Sequence, residues 1–305
     1  MGRVAFVFPG QGAQSPGMGK ELAEVSSAAA KVFAAVDAIR PGTSGQCFAG
    51  SAEELQETKI TQPCMVAVEL AAAAALTEAG VKADMAAGFS LGELAALSYA
   101  EVVDASTSFS LVCRRGELMQ EAAETFDTSM AAVVKLDNET VEKLCAQFED
   151  VYPVNYNCPG QVTVAGLKAQ MPDFSAAVKA AGGRALPLKV SGGFHSPFMA
   201  KASEKFGEAL ENVAFAAPAI PLYSNVTGQP YGDNAKELLT EQICNPVRWE
   251  TIIRSMIAEG VDTFIEVGPG SVLQGLIKKI DSSVRTFGVS DKESLETTIR
   301  EVTAC

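Results

Sequence analysis

The most informative part of the sequence is Met85-Ala86-Ala87-Gly88-Phe89-Ser90-Leu91-Gly92-Glu93, which predicts a short apolar strand, a sharp turn and the start of a helix. Residues 88–92 fit the pattern G-x-S-x-G, whose two glycines let neighbouring backbones approach the turn closely. The turn lifts the Ser90 hydroxyl out of the sheet, and the helix N-terminus behind it favours negative charge. Such pentapeptides also occur by chance, but the strand before and the helix after favour a nucleophilic serine.

Strand and helix patterns alternate on both sides of this turn. Apolar and β-branched runs predict strands at Val4–Phe8, Met85–Phe89 and Thr263–Val267. The helices predicted around them are Met18–Ile39, Gln62–Ala79, a segment from the turn to Tyr99, Ala105–Ala123 and Val272–Ile280. This alternation is typical of an α/β fold with a mostly parallel sheet.

The middle of the chain has a different order of elements, β-α-β-β-α-β. The segments are Met130–Leu136, Glu139–Phe148, Tyr152–Asn157, Gln161–Ala165, Pro172–Ala181 and Arg184–Leu188. This order is the ferredoxin-like pattern. We therefore expect a ferredoxin-like α+β subdomain at 125–190, inserted into an α/β core that consists of 1–124 and 191–305.

Composition limits the classes of function. Lys plus Arg total 24 against 37 Asp plus Glu, and the resulting net charge of −13 repels nucleic acid on average. The apolar run around Ala71–Ala75 is bracketed by Glu69 and Glu78, well short of the ~20 residues of a membrane span. The N-terminal apolar run is too soon interrupted by Pro9 for a signal peptide. We expect a soluble cytoplasmic protein that binds neither nucleic acid nor membrane.

The cysteines and the lone histidine narrow the chemistry. The 7 cysteines are scattered and never form C-x-x-C, which indicates reduced thiols rather than a disulfide framework. With 1 histidine and no clustered thiols, we expect no metal site. We also expect no bound cofactor. His195 is the sole candidate base for Ser90, and it lies in a glycine-rich stretch ahead of a predicted helix. A structural histidine is the alternative, which the elbow serine makes the weaker one.

Two further stretches carry weaker signals. The loop Phe8–Gln14 lacks the third glycine of a dinucleotide fingerprint, because Ser15 stands there, but it could present a backbone N–H to an oxyanion. The pair Arg114-Arg115 lies in an amphipathic helix, so one arginine can point inward towards an anion such as a carboxylate. The spacing leaves open the alternative that both are solvated or pair with nearby glutamates.

Together these stretches resemble the malonyl-CoA:acyl carrier protein transacylases of bacterial fatty-acid synthesis. The resemblance runs essentially end to end, over Phe8–Gln14, Gly88–Glu93, Arg115–Gly116, Met119–Ala122, Asn157–Gln161, Phe194–His195, Asn245–Trp249 and Glu266–Gly270. It implies a hydrolase-like core with a ferredoxin-like insertion. It also implies ping-pong transfer of malonyl groups from malonyl-CoA to the phosphopantetheine thiol of acyl carrier protein, through an ester on Ser90.

The resemblance assigns roles to individual residues. Ser90 is the nucleophile and His195 the base, while Gln11 and Leu91 supply the backbone N–H groups of an oxyanion hole. Arg115 binds the malonyl carboxylate.

Three further assignments follow from the same resemblance. Asn157 and Phe194 line the substrate cleft, and Phe194 is of the type found in malonyl-selective members, where methylmalonyl-specific relatives tend to have serine. The main-chain carbonyl of Arg248 orients the histidine in place of an aspartate. Many members carry glutamine at position 248 and histidine at the position of Phe89, so an accessory role of that histidine is absent here.

The resemblance also implies a partner, an acidic acyl carrier protein. A protein of charge −13 needs local cations to receive it, and sequence proximity to the cleft motifs selects Lys189, Lys201, Lys278, Lys279 and Arg285. The sequence carries no signal of oligomeric state, and we expect a monomer.

Two alternatives remain open at this point. A serine hydrolase with the same elbow needs an orienting acid, and Asp137, Asp150 and Asp173 are three of the aspartates between Ser90 and His195. All three fall in the predicted insertion, an awkward place for that acid. A binding protein with a vestigial site is the second alternative, which the intact Ser90 and His195 pair disfavours.

Overall fold

The computed structural model describes residues 2–190 and 192–303. The strands in this part of the chain are β1 (Arg3–Phe8), β2 (Met85–Gly88), β3 (Thr128–Val134), β4 (Val151–Cys158), β5 (Gln161–Leu167), β6 (Arg184–Pro187), β7 (Leu222–Tyr223), β8 (Val261–Val267) and β9 (Arg285–Val289). The helices are α1 (Lys20–Val25), α2 (Ser27–Ile39), α3 (Thr43–Ala49), α4 (Thr58–Glu78), α5 (Gly92–Tyr99), α6 (Ala105–Ala123), α7 (Asn138–Cys145), α8 (Met171–Ala180), α9 (Ala200–Ala209), α10 (Ala235–Gln242), α11 (Trp249–Ala258), α12 (Val272–Ile280) and α13 (Lys292–Thr303).

The larger sheet has five parallel strands in the order β7-β2-β1-β8-β9. The residues of β1 after Arg3 and all of β2 are buried, as expected for strands covered by helices on both faces. The carboxyl ends of β1, β2 and β8 therefore meet at one edge, where the loops that follow them come together. The predicted α/β fold with a parallel sheet is confirmed.

The smaller sheet is antiparallel, with the order β4-β5-β3-β6. Helices α7 and α8 connect its strands, so the predicted β-α-β-β-α-β order is present in space as well as in sequence. We propose that 125–190 form a subdomain inserted between core segments 1–124 and 191–305, because the four strands pair with one another. Residues 1, 191, 304 and 305 of these segments lie outside the described residues.

One predicted helix is two helices in the structure. Ser26 interrupts Met18–Ile39: its backbone is extended, with φ −120°, and its hydroxyl accepts a hydrogen bond from the Ala29 N–H at 3.1 Å. A serine in this geometry begins a new helix rather than continuing the old one. The chain therefore turns at Ser26, between α1 and α2.

Helix α4 is the core helix of the larger layer. Of the described residues, it is the one helix long and apolar enough to cross a membrane, and 83% of its most apolar window is buried inside the protein. Burial of this kind is typical of the central helix of a soluble fold.

Candidate active site

The Ser90 elbow joins β2 to α5. Ser90 has φ 54°, a left-handed conformation that strains a residue with a side chain. A Cβ on Gly88 would lie 2.0 Å from the Glu93 backbone nitrogen, and one on Gly92 would lie 2.3 Å from the Phe8 carbonyl oxygen. The two glycines therefore allow the strand, the turn and the start of the helix to pack at backbone distance.

His195 faces the nucleophile. Its Nε2 lies 2.6 Å from the Ser90 hydroxyl oxygen, and its Nδ1 lies 2.8 Å from the carbonyl oxygen of Gln242. A carbonyl can only accept, so Nδ1 carries the hydrogen and Nε2 presents its lone pair to Ser90. The ring is thus held in the tautomer that a general base requires.

The predicted role of the Arg248 carbonyl was wrong. That carbonyl accepts the Ile252 N–H at 3.1 Å, because Arg248 is the N-cap residue immediately before α11 and its oxygen accepts the first helical hydrogen bond. Gln242 instead ends α10, and the residue four positions on is Pro246, which has no N–H to donate. The Gln242 carbonyl is therefore free for the histidine. Pro246 is the sequence signal that could have identified it.

Burial keeps the His195 ring in its neutral form. Burial, together with the positive charge of Arg115, lowers the pKa of His195 from 6.5 to about 4. The ring is consequently neutral at physiological pH and able to accept a proton. The carboxyl end of α10 carries a partial negative charge beside the ring, which favours imidazolium once it forms.

Arg115 is the inward-pointing member of the arginine pair. It is fully buried on α6; Nη1 donates to Gln62 Oε1 and Nη2 to Gln242 Oε1, both at 2.8 Å. Nη2 also lies 3.3 Å from the Ser90 hydroxyl oxygen, and Nε has no hydrogen-bond partner among the described residues. Burial lowers the pKa of Arg115 to about 10, which leaves it charged at neutral pH. A buried cation with neutral partners is suited to an anion beside Ser90.

Arg114 is the outward-pointing member of the arginine pair. Arg114 is exposed and pairs with Glu117 at 3.2 Å, three positions along the same helix. The alternative of an arginine that is solvated or paired with a nearby glutamate therefore holds for Arg114 and fails for Arg115.

The two predicted oxyanion-hole residues, Gln11 and Leu91, lie near Ser90 on different segments of the chain. Leu91 immediately precedes α5, and Gln11 lies in the loop after β1. Neither N–H donates to another group within the described residues. A Cβ on Gly10 would lie 2.8 Å from the Phe89 carbonyl oxygen, so glycine lets this loop approach the turn. Two free donors beside a nucleophile can stabilise an oxyanion.

A cleft of about 250 Å³ lies between the two sheets and reaches Ser90 and His195. Phe194 lines it and is 7% exposed. Asn157 also lines it; its Nδ2 donates to Thr163 Oγ1 at 3.0 Å, while its Oδ1 is buried without a partner among the described residues. The wall of the cleft therefore contains a buried acceptor with no partner among the described residues.

Several residues of the site were not found from the sequence. Asn225 Oδ1 accepts the Ser90 N–H at 2.7 Å, from a loop 135 positions away. The amides of Gln62 and Gln242 hold Arg115, and Gln242 also holds the histidine. Gln62 and Asn225 stand outside the motifs used to identify the site, so the fold was needed to place them.

An elbow serine, a neutral histidine held by a carbonyl and a buried arginine beside the nucleophile define a serine-dependent acyltransferase of the α/β class. The hydrolase alternative loses its acid, because no carboxylate of the described chain hydrogen-bonds His195. Asp137 caps α7 instead, and Asp150 is close to the Tyr152 hydroxyl.

Comparison with known proteins agrees with this class. The model of the acyl transferase domain family matches residues 5–304, and the chain belongs to that family. It is 40% identical over 308 residues to the malonyl CoA-acyl carrier protein transacylase of Bacillus subtilis (strain 168), covering 98% of this chain and 97% of the relative. It is 39% identical to the protein of that name from Escherichia coli (strain K12), covering 97% and 98%.

Solved structures give the same result. The malonyl CoA-acyl carrier protein transacylase of Clostridium perfringens superposes with a TM-score of 0.96 at 35% identity, covering 99% of this chain and 98% of the other. A malonyl-transacylase in complex with its type II PKS acyl-carrier protein superposes with a TM-score of 0.94 at 37% identity, covering 98% and 99%. The resemblance to malonyl transacylases noted in the sequence is confirmed.

Proposed function

We propose that this protein is a malonyl-CoA:acyl carrier protein S-malonyltransferase that supplies malonyl groups for fatty-acid elongation. The observation that carries the proposal is Arg115, a fully buried cation with Nη2 3.3 Å from the Ser90 hydroxyl oxygen. Malonyl differs from acetyl by one terminal carboxylate. A guanidinium with unused donor capacity can bind that carboxylate through two parallel hydrogen bonds. Family membership and the names of the relatives support the same activity.

In the first half-reaction, malonyl leaves coenzyme A. His195 Nε2 takes the proton from the Ser90 hydroxyl, and the serine oxygen attacks the thioester carbonyl carbon. The N–H groups of Gln11 and Leu91 stabilise the oxyanion of the tetrahedral intermediate. The carbon–sulfur bond then breaks, coenzyme A thiolate receives the proton from His195, and a malonyl ester remains on Ser90.

The second half-reaction reverses these steps with a different thiol. The phosphopantetheine thiol of the carrier protein gives its proton to His195 and attacks the ester carbonyl. Ser90 leaves and recovers a proton from the imidazolium. Both ends are thioesters, so the overall equilibrium is roughly balanced, and the site must exclude water while the ester exists.

Two cleft residues complete substrate binding in this proposal. Asn157 Oδ1 is a buried acceptor without a partner in the described chain, which suits an amide N–H of the pantetheine arm. Phe194 lies next to the base and presents an apolar surface in the cleft, where added substituents on the acyl chain would collide. We assign these residues to arm binding and to acyl selection.

Carrier-protein docking is proposed at two of the five predicted cations. Lys279 Nζ contacts Gln161 Oε1 at 3.2 Å, and Gln161 lines the cleft. Lys189 is exposed between Leu188 and Val190, which also line the cleft.

The remaining predicted cations have other surroundings. Lys201 lines a separate groove with Glu121, the Lys278 ammonium donates to the carbonyls of Ser282 and Val284, and Arg285 lies 3.9 Å from Glu301. Lys189 and Lys279 are therefore the stronger candidates for meeting an acidic partner.

The wider setting is part of the same proposal. We propose a cytoplasmic monomer that uses no bound cofactor and has malonyl-CoA as donor substrate. The apolar helix α4 is packed inside the fold, and the described residues contain no group of three or more acidic, histidine or cysteine side chains suited to a metal ion. Light scattering after size exclusion tests the monomer.

Intact mass spectrometry after mixing with malonyl-CoA tests the proposed function. We expect one malonyl group on the wild-type protein, its release on addition of carrier protein, and no adduct on Ser90→Ala. An adduct that persists at wild-type level in Ser90→Ala would show that another residue is the nucleophile. Acyl-enzyme that is lost equally fast to water and to carrier protein would favour the hydrolase.

A further inference from the structure

Glu93 is a fully buried carboxylate directly behind the nucleophile, and the reaction above does not use it. Its Oε1 accepts hydrogen bonds from the Tyr231 hydroxyl at 2.6 Å and the Asn225 N–H at 3.1 Å. Its Oε2 accepts from Gln242 Nε2 at 2.6 Å. Burial raises the pKa of Glu93 to about 7, while these three donors and the Arg115 charge favour the ionised form. The carboxylate is held on both oxygens.

The contact with Gln242 determines which way that amide faces. Gln242 Nε2 donates to Glu93 Oε2 and also to the Ser90 carbonyl at 2.7 Å, so both amide hydrogens meet acceptors. The amide oxygen is then left to face Arg115, whose Nη2 it accepts at 2.8 Å. The Ser90 carbonyl can only accept a hydrogen bond, and so can Glu93 in its ionised form, so with Glu93 ionised only this amide orientation satisfies both contacts.

The opposite amide orientation would disturb Arg115. It would place two amide hydrogens against a guanidinium that can only donate. It would also leave Nη2 of the buried Arg115 without its amide acceptor. Arg115 would then be free to turn away from the space beside Ser90. The position of the guanidinium therefore depends on a residue that it does not contact by hydrogen bond.

We propose that Glu93 is a positioning residue that locks the Gln242 amide, aims Arg115 at the acyl group on Ser90 and so sets the preference for malonyl over acetyl. The proposal rests on the proposed malonyl transfer. Glu93 acts through Gln242 and touches neither substrate nor the reacting atoms. The same carboxylate accepts the Asn225 N–H, and Asn225 in turn holds the Ser90 N–H and the Gly88 carbonyl.

Glu93→Gln tests the proposal, because it keeps the shape of the side chain and replaces one acceptor oxygen with a donor. We expect kcat/KM for malonyl-CoA to fall at least about tenfold, mainly through KM, as loss of a hydrogen bond to a charged group predicts. Acetyl-CoA has no carboxylate, so its kcat/KM should fall less and the malonyl-to-acetyl ratio should drop. Glu69→Gln, the same change at another fully buried glutamate, should leave the ratio unchanged.

A double mutant separates positioning from general disruption. If Glu93 acts on selectivity through Arg115, adding Glu93→Gln to Arg115→Ala should not lower the ratio further. A further drop in that background, or an unchanged ratio in Glu93→Gln alone, overturns the proposal. Thermal unfolding of each variant checks that the measured protein is folded.

Gln242→Met keeps the test decisive if Glu93→Gln does not fold. It retains the main-chain carbonyl that holds His195 and removes only the amide, so we expect the same drop in ratio. An unchanged ratio in Gln242→Met overturns the proposal. Wild-type protein that forms no malonyl ester refutes the proposed function instead, whereas wild type that forms it beside variants of unchanged ratio refutes only the role of Glu93.

Discussion

The Arg115 guanidinium lies against the nucleophile, with Nη2 3.3 Å from the Ser90 hydroxyl oxygen, although Arg115 is on α6 and Ser90 is in the turn between β2 and α5. The arginine is fully buried and no carboxylate hydrogen-bonds it within the described residues. In the proposed function, this geometry places a cation where the carboxylate of a malonyl group on Ser90 would bind.

Arg115→Ala should therefore change specificity more than stability. Removing one member of a buried charged pair costs roughly 3–5 kcal/mol, so kcat/KM for malonyl-CoA should fall by about two to four orders of magnitude. Acetyl transfer should survive or improve, and Arg115→Lys should restore malonyl transfer only in part, because an ammonium lacks the two-pronged geometry. The measurement is kcat/KM for both substrates.

The neighbouring arginine is the matched control for that series. Arg114→Ala removes an exposed cation paired only with Glu117 among the described ion pairs, and it should leave both substrates near wild-type rates. Equal losses on malonyl-CoA and acetyl-CoA in Arg115→Ala would mean that the malonyl carboxylate is bound elsewhere.

The protonation of His195 can be observed directly, because it is the only histidine in the sequence. Burial and the Arg115 charge depress its pKa to about 4, so its ring signals should stay those of neutral imidazole down to about that pH. The base is lost as pH falls through this pKa, and kcat/KM should fall with it. Arg115→Ala should raise the pKa, since one of the two causes is removed. NMR titration of wild type, Arg115→Ala and Arg114→Ala decides the matter, and a wild-type pKa near 6.5 would contradict the buried geometry.

Glu69 on α4 should weaken the fold as pH rises. Both carboxyl oxygens are buried without a hydrogen-bond partner in the described chain, and burial, followed by repulsion from Glu266, raises its pKa well above 4.5. The unfolded chain loses this proton above pH 4.5 while the folded protein retains it, so stability declines from that pH upward. Glu69→Met should stabilise the protein by about 1–3 kcal/mol at neutral pH, with a smaller gain in acid.

Glu78, on the same helix, is the control for the sign of that effect. Hydrogen bonds from Ser26 and Ser27 lower the pKa of Glu78, so its contribution is present above pH 4.5 and lost as pH falls through the lower folded pKa. Denaturant unfolding of Glu69→Met and Glu78→Gln across pH should give opposite trends. A gain in Glu69→Met that does not change with pH would indicate a packing effect alone.

Docking of the carrier protein should depend on salt and on two lysines. Lys189→Ala and Lys279→Ala should each slow malonyl transfer to carrier protein by roughly a few-fold at low salt. The difference in rate from wild type should shrink as added salt screens the attraction. Transfer to free pantetheine should not change in either variant. Lys82→Ala is the control, because Lys82 is exposed before β2, at the end of the strand opposite the elbow. Rates with carrier protein that ignore salt would contradict docking by charge.

Features that depend on residues close together in the chain could be predicted from the sequence. The apolar run before Ser90 and the helix after it specify the elbow, since the two glycines are needed within two positions of the serine. The lone histidine left His195 as the single candidate base, and the β-α-β-β-α-β order specified the smaller sheet. The interruption at Ser26 was missed, where a side-chain cap competes with helix continuation, and strands β7 and β9 were not predicted either.

The tertiary structure alone decided which distant groups meet. Two adjacent arginines are equivalent in sequence, and only the packing of α6 buries Arg115 and leaves Arg114 exposed. The histidine is held by Gln242 rather than Arg248, because a carbonyl at a helix end is free whereas one at a helix start is already bonded. Hydrogen bonds that span 47 to 152 positions, such as those of Gln242, are chosen by which helix ends the folded core brings together, and no local pattern records that choice.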